Sequence, residues 1–159
     1  MDATEFRNYL AILHELTNTL AQLTEIEQKK TMAVRYDELG ALNECMRQEQ
    51  AMTLRLRGLE QKQQAALAAL HLANIPLSRL PEHAPEGCLE ETREATQALR
   101  MQYEQFSAAF EVAQNTLECN LHEIEKILAD MGAAPIEGVG YQNESGPELP
   151  QKMRTDFRA

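Results

Sequence analysis

A heptad-like apolar repeat from Leu99 to Met131 constrains the fold of this chain more than any other feature. Its positions lie three or four residues apart for more than four heptads, which is typical of a long helix packed against other helices. No glycine or proline interrupts the segment, so it predicts a rod roughly 48 Å long at about 1.5 Å per residue. The expected core-facing positions are Leu99, Tyr103, Phe106, Phe110, Ala113, Leu117, Asn120, Ile124, Ile127 and Met131. Such a rod needs other helices to bury its stripe.

Two earlier segments carry stripes that can cover it. The first predicts a helix over residues 2–33 with Asp2 as N-cap, and the second a helix over 37–73 with Asp37 as N-cap. Residues 31–37 contain no proline or glycine, so one bent helix is an alternative, although we expect a short turn. The first stripe is Phe6, Leu10, Leu13, Leu16, Leu20 and Leu23, and it fades through Glu27, Gln28, Lys29 and Lys30. The second is Leu39, Leu42, Met46, Met52, Leu56, Leu59, Leu67 and Leu70.

A proline-rich linker over 74–85 separates the second helix from a third helix over 86–131, which Gly132 is expected to cap. Together these segments predict an all-α fold: an elongated antiparallel three-helix bundle with a flexible C-terminal tail over 133–159. In the tail, Leu149, Met153 and Phe157 lie four residues apart. That spacing favours a segment that becomes ordered on a partner over an inert terminus.

The charge of the chain is acidic and uneven. Its net charge is −10, and residues 86–131 hold ten acidic against three basic residues. An acidic rod repels phosphate backbones, so we expect no nucleic-acid binding. The acidic surface is either simply solvated or a docking surface for a basic partner. No run of 18 apolar residues is present, so we expect no stable membrane insertion. The three cysteines lack a disulfide-like spacing, and we expect a cytoplasmic protein.

The sequence carries no recognisable catalytic motif. Phosphate-binding loops, nucleophile elbows and HExxH motifs are absent, as are the Glu-x-x-His pairs of di-iron bundles. Cys119 and His122 share a helix face, but two ligands alone are a weak metal signal. We therefore expect no enzyme, no metal and no cofactor. Asn120 interrupts the apolar seam, where it either fixes the helix register or turns to the rim while Leu121 takes its place.

Three segments carry a resemblance to a known family. YDELGALNEC (36–45) opens the second helix, ECNLHEIEKIL (118–128) ends the third, and YQNESG (141–146) lies in the tail. In arrangement and in these segments the chain resembles the FlgN family of flagellar export chaperones. That resemblance implies a chaperone of hook-associated (hook–filament junction) proteins, which holds their helix-prone C-terminal segments unassembled and delivers them to the flagellar type III export gate.

The resemblance also implies where the partners bind. The late part of the third helix and the tail would contact the client, and Tyr141, with Gly146 nearby, would dock at the cytoplasmic domain of the export gate. The expected client-binding residues are Leu117, Asn120, Leu121, Ile124, Leu128, Leu149, Met153 and Phe157. The alternative is a non-catalytic coiled-coil adaptor that forms a homodimer through the third helix.

Overall fold

The computed structural model describes residues 2–132 of the chain. Three long helices dominate it: α1 (Ala3–Arg35), α2 (Leu39–Ala69) and α3 (Leu89–Asp130). A 3₁₀ helix (Leu77–His83) lies within the proline-rich linker between α2 and α3 and packs against α3. The predicted all-α fold of long packed helices is confirmed. The predicted tail, 133–159, lies outside the described residues.

Helix α1 is the central element of the bundle. It packs along both α2 and α3, whereas α2 and α3 form no comparable backbone contact with each other. Hydrogen-bonded pairs of residues give the directions: α2 runs antiparallel to α1, and α3 runs parallel to it. These pairs are Lys30 with Glu49 and Tyr9 with Gln63 for α1 and α2, and Thr24 with Gln102 and Val34 with Asn120 for α1 and α3.

The core forms around α1, as its stripe predicts. All six predicted positions of α1 are buried, and further buried residues widen its apolar face to meet two partners. Helix α2 contributes less, mainly through Leu56 and Leu59, while Met46 and Met52 are only half-buried. The 3₁₀ helix adds Leu77 and Leu80. In this fold the central helix α1 is therefore packed between α2 and α3.

The helix ends agree with the predictions in part. Asp2 caps α1, since its side chain accepts a hydrogen bond of 3.0 Å from the Thr4 N–H. A short turn separates α1 from α2, yet Asp37 is not the N-cap of α2. Glu38 holds that position, while Asp37 takes a left-handed φ of 53°. This conformation turns the chain sharply between the two helices.

Helix α3 extends beyond the end of α1, and here the predicted core is wrong. Asn120 lies level with Val34, so about ten further residues, roughly 15 Å of helix, extend from the last turn of α1 past its end. The repeat is buried as far as Leu117 apart from the half-buried Phe110, but Ile124, Ile127 and Met131 are 45%, 58% and 76% exposed. We call residues 121–131, the end of α3 with its C-cap Met131, the α3 overhang. Gly132 follows with a φ of 78°, as expected at a helix C-terminus.

A second departure from the predicted pattern lies near the C-terminus of α1. Glu27 and Lys30, where the stripe was expected to fade, are 0% and 4% exposed. Lys30 Nζ donates hydrogen bonds to both carboxylate oxygens of Glu49, at 2.9 and 3.2 Å, and lies 3.4 Å from Oε2 of Glu27. These three residues form a buried ionic cluster that fastens α2 to α1.

Candidate functional site

An apolar groove opens where the first turns of α2 face the late part of α3. We call it the α2–α3 groove. Its floor is formed by Ala33 and Val34 in the last turn of α1, and its volume is about 290 Å³. One wall comes from the turn and the start of α2, and the other from α3. The wall residues are Asp37, Glu38, Leu39 and Leu42 on the first side, and Leu117, Asn120, Leu121 and Ile124 on the second.

The arrangement of the helices explains why this groove exists. Because α2 and α3 each pack on α1 and share no comparable backbone contact with each other, α1 closes the space between them at this end of the bundle. Helix α1 ends at Arg35, so beyond this residue it no longer covers the space between α2 and α3. Leu39 is 68% and Ile124 45% exposed, which leaves apolar side chains of both walls open to solvent. An exposed apolar groove with a polar rim is typical of a binding surface.

The structure brings together four of the five site residues predicted in the third helix. Leu117, Asn120, Leu121 and Ile124 all line the groove. Leu128 is half-buried and lies one turn further along the overhang, outside the groove lining. The five predicted tail residues, Leu149, Met153, Phe157, Tyr141 and Gly146, lie outside the described residues.

Asn120 marks the base of the groove. It is half-buried, and its side-chain Nδ2 donates a long hydrogen bond of 3.5 Å to the backbone carbonyl of Val34. The same carbonyl accepts the Asp37 N–H at 3.3 Å, so Asn120 adds a second contact to it and joins α3 to the end of α1. Leu121 lines the same groove. Asn120 and Leu121 are thus both half-buried at the groove, and a role of Asn120 in fixing the helix register stays a prediction.

Sequence reasoning missed the opposite wall of the groove. Leu39 and Leu42 belong to the predicted stripe of α2, and the stripe assigned them to the core. Periodicity identifies which face of a helix is apolar, but not how far a neighbouring helix extends to cover it. The exposure of Leu39 follows from the end of α1 nearby, which only the tertiary structure reveals.

The surroundings of the groove are acidic. Asp37 and Glu38 stand on its rim, and three exposed glutamates on the late part of α3 add negative charge: Glu118, Glu123 and Glu125. Lys126 offsets one of these charges. On the other side of Asn120 lies a more polar cleft of about 410 Å³, which Arg35, Asn115 and Thr116 help to line. A ligand that combines an apolar face with positive charge would match the groove.

No three His, Cys, Asp or Glu side chains among residues 2–132 converge as metal ligands would. All three cysteines are free; Cys45 and Cys88 are buried and Cys119 is exposed. None of the described helices is long and apolar enough to cross a bilayer.

Comparisons with known protein families, with curated proteins and with solved structures found no match for this chain. An assignment of function therefore depends on the groove and on the sequence segments quoted above.

Proposed function

We propose that this protein is a flagellar export chaperone, and that its α2–α3 groove binds the C-terminal helical segment of a hook-associated protein. The observation that carries the proposal is the groove itself, an open apolar cleft between helices. An exposed apolar face on the α3 overhang continues it. Along the α3 overhang, Ile124, Ile127, Leu128 and Met131 share one helix face and continue the apolar surface. An amphipathic helix binds such a surface through apolar residues three and four positions apart.

Binding in this groove would prevent premature assembly in a simple way. Without a chaperone, an amphipathic terminal segment of a junction protein would associate with other copies of the same segment. Covering its apolar face removes the driving force for that association. No step of this function needs a catalytic group.

Titration calorimetry with C-terminal segments of junction proteins from the same organism tests the proposal. We expect saturable one-to-one binding by the full chain. Leu39→Asp places a charge on an exposed groove wall and should weaken binding by at least tenfold, since burying an unpaired carboxylate is costly. Leu54→Asp is a matched control, because both leucines are 68% exposed in the same helix and Leu54 is remote from the groove lining. Equal affinities for the two variants would reject the groove as the client site.

The resemblance also supports a contact with the export gate through Tyr141. Pull-down of the gate's cytoplasmic domain by the full chain should succeed and should decline with Tyr141→Ala. Client binding by the same variant should be unchanged, because Tyr141 has no assigned part in the groove. A variant that lost both interactions would argue against separate surfaces.

A second candidate is an adaptor that dimerises through α3. The exposed apolar residues of the α3 overhang favour it, as 58% of Ile127 and 76% of Met131 face solvent. Sedimentation equilibrium distinguishes the two. A stable dimer that binds no junction protein would support the adaptor, whereas a monomer that binds one would support the chaperone.

A further inference from the structure

A segment near the C-terminus of this chain has the chemistry that the α2–α3 groove would select. Residues 149–158 read LPQKMRTDFR, with Leu149, Met153 and Phe157 four residues apart. In a helix these three side chains would share one face. The same ten residues hold three bases, Lys152, Arg154 and Arg158, against the single acid Asp156. The segment is thus apolar on one face and basic overall, within a chain of net charge −10.

The linker between Gly132 and this segment is long enough for the segment to reach the α2–α3 groove. Gly132 follows the α3 overhang, and the groove residue Leu121 lies eleven positions before it, about 16 Å away along the helix axis. Sixteen residues, 133–148, separate Gly132 from Leu149, and a chain of that length spans roughly 20 Å on average if it is flexible. The connection is therefore long enough to return to the groove.

Electrostatics favour this occupant over a second copy of α3. Asp37 and Glu38 stand on the rim of the groove, and on late α3 the exposed Glu118, Glu123 and Glu125 outnumber Lys126. Pairing two α3 overhangs would bring like charges together, which opposes association. The bases of segment 149–158 would instead meet opposite charge. Tethering also supplies an effective concentration of about 1 mM, so that even a weak contact is populated.

We propose that residues 149–158 occupy the α2–α3 groove of their own chain when no client is bound, with the face of Leu149, Met153 and Phe157 on the groove walls. The inference rests on the groove named in the proposed function, but not on the identity of the client. A client must then displace the segment, and its apparent affinity falls by the fraction of molecules in which the groove is free.

Methyl NMR of the full chain without a client tests this occupancy. We expect nuclear Overhauser contacts between the Met153 methyl group and the methyl groups of Leu39 or Ile124. Phe157→Asp, which breaks the apolar face of the segment, should abolish them. Leu39→Asp on the groove wall should abolish the contact between Met153 and Ile124. Two variants that add the same charge elsewhere, Asn143→Asp and Leu54→Asp, should leave the contacts in place.

Three results would overturn the inference. One is the absence of any contact from Met153 to the groove in the unaltered chain. Another is a contact that persists in Leu39→Asp. The third is a contact seen between differently labelled molecules in a mixed sample, which would assign the groove to a second copy. This NMR experiment contains no client, so a negative result does not argue against client binding. A negative calorimetric titration likewise does not argue against the contact between the segment and the groove.

Discussion

At the scale of single residues, the buried ionic cluster is the most unusual feature of the protein. Glu27, Lys30 and Glu49 place two carboxyl groups around one ammonium group, with all three residues at most 5% exposed. Burial raises the pKa of Glu27 to about 8, with Glu49 adding to the rise and Lys30 opposing it. Burial alone would lower the pKa of Lys30, but the two carboxyl groups outweigh that effect and raise it. At neutral pH the cluster therefore holds Glu27 mostly protonated.

Replacing Glu27 should change how stability depends on pH. In the folded protein its pKa is about 8, against an ordinary value of 4.5, so folding takes up a proton between these values. The stability contributed by this proton is complete below about pH 4.5, falls as the pH rises, and is lost above about pH 8, a change on the order of 5 kcal/mol. Glu27→Gln keeps a neutral side chain at every pH. We expect it to flatten the profile of urea denaturation midpoints from pH 5 to pH 9.

Glu25→Gln is the control for this experiment, because Glu25 is an exposed residue on the same helix. Its pH profile should parallel that of the unaltered protein. If Glu27→Gln kept the full decline of stability with rising pH, the titration would have to arise elsewhere.

Removing the shared cation should be more costly than removing its exposed neighbour. Lys30→Met leaves Glu49 buried without its partner, and breaking a buried ion pair in this way costs about 3–5 kcal/mol. Lys29→Met changes an exposed residue and should stay within about 0.5 kcal/mol. Denaturant unfolding at pH 7 measures both. Similar losses for the two variants would contradict a structural role of the cluster.

At the scale of the elements, the short turn between α1 and α2 determines where the groove begins. The turn ends α1 at Arg35 and starts α2 at Leu39, so that Asp37 and Glu38 stand on the rim. It depends on the left-handed backbone of Asp37, with a φ of 53°. Asp and Asn adopt this conformation far more readily than β-branched residues do.

Asp37→Val should therefore destabilise the protein by about 1–2 kcal/mol, because the branched valine side chain clashes with the backbone in the left-handed conformation. Asp37→Asn should be close to neutral. Tyr36→Val is a control in the same turn, since Tyr36 is 66% exposed and has a φ of −101°. Urea denaturation of the three variants measures the difference. Full stability of Asp37→Val would mean that the turn takes another conformation in solution.

At the scale of the whole molecule, α1 links the other helices into one folding unit. Both large helix interfaces involve α1, and its buried residues lie at the centre of a single hydrophobic core. Because α2 and α3 lack a comparable interface, neither can hold its place once α1 is lost. We infer that unfolding of residues 2–132 is a single cooperative event.

Leu16→Ala tests this cooperativity. Leu16 is fully buried, and removing most of such a side chain costs about 2–5 kcal/mol. Helical circular dichroism and tyrosine fluorescence should shift together to lower denaturant. Leu54→Ala, at a residue that is 68% exposed, should leave both transitions in place. Separation of the two signals in Leu16→Ala would show that α2 or α3 unfolds by itself.

Apolar periodicity by itself determined the all-α class, the number of long helices and the buried face of α1. These follow from local chemistry, since the spacing of Leu10, Leu13 and Leu16 gives an apolar face only in a helix. Four residues of the groove, including Leu121 and Ile124, were also predicted from α3, although their exposure was not.

The tertiary structure alone decided which stretches of those faces are covered. Ile127 continues the same repeat as Leu99, yet one is 58% exposed and the other fully buried, because α1 ends before it reaches Ile127. Glu27 and Lys30 interrupt the pattern of α1 but are buried, since Glu49 of α2 lies opposite Lys30. Periodicity reports the chemistry of one helix, whereas burial depends on the lengths and alignment of its neighbours.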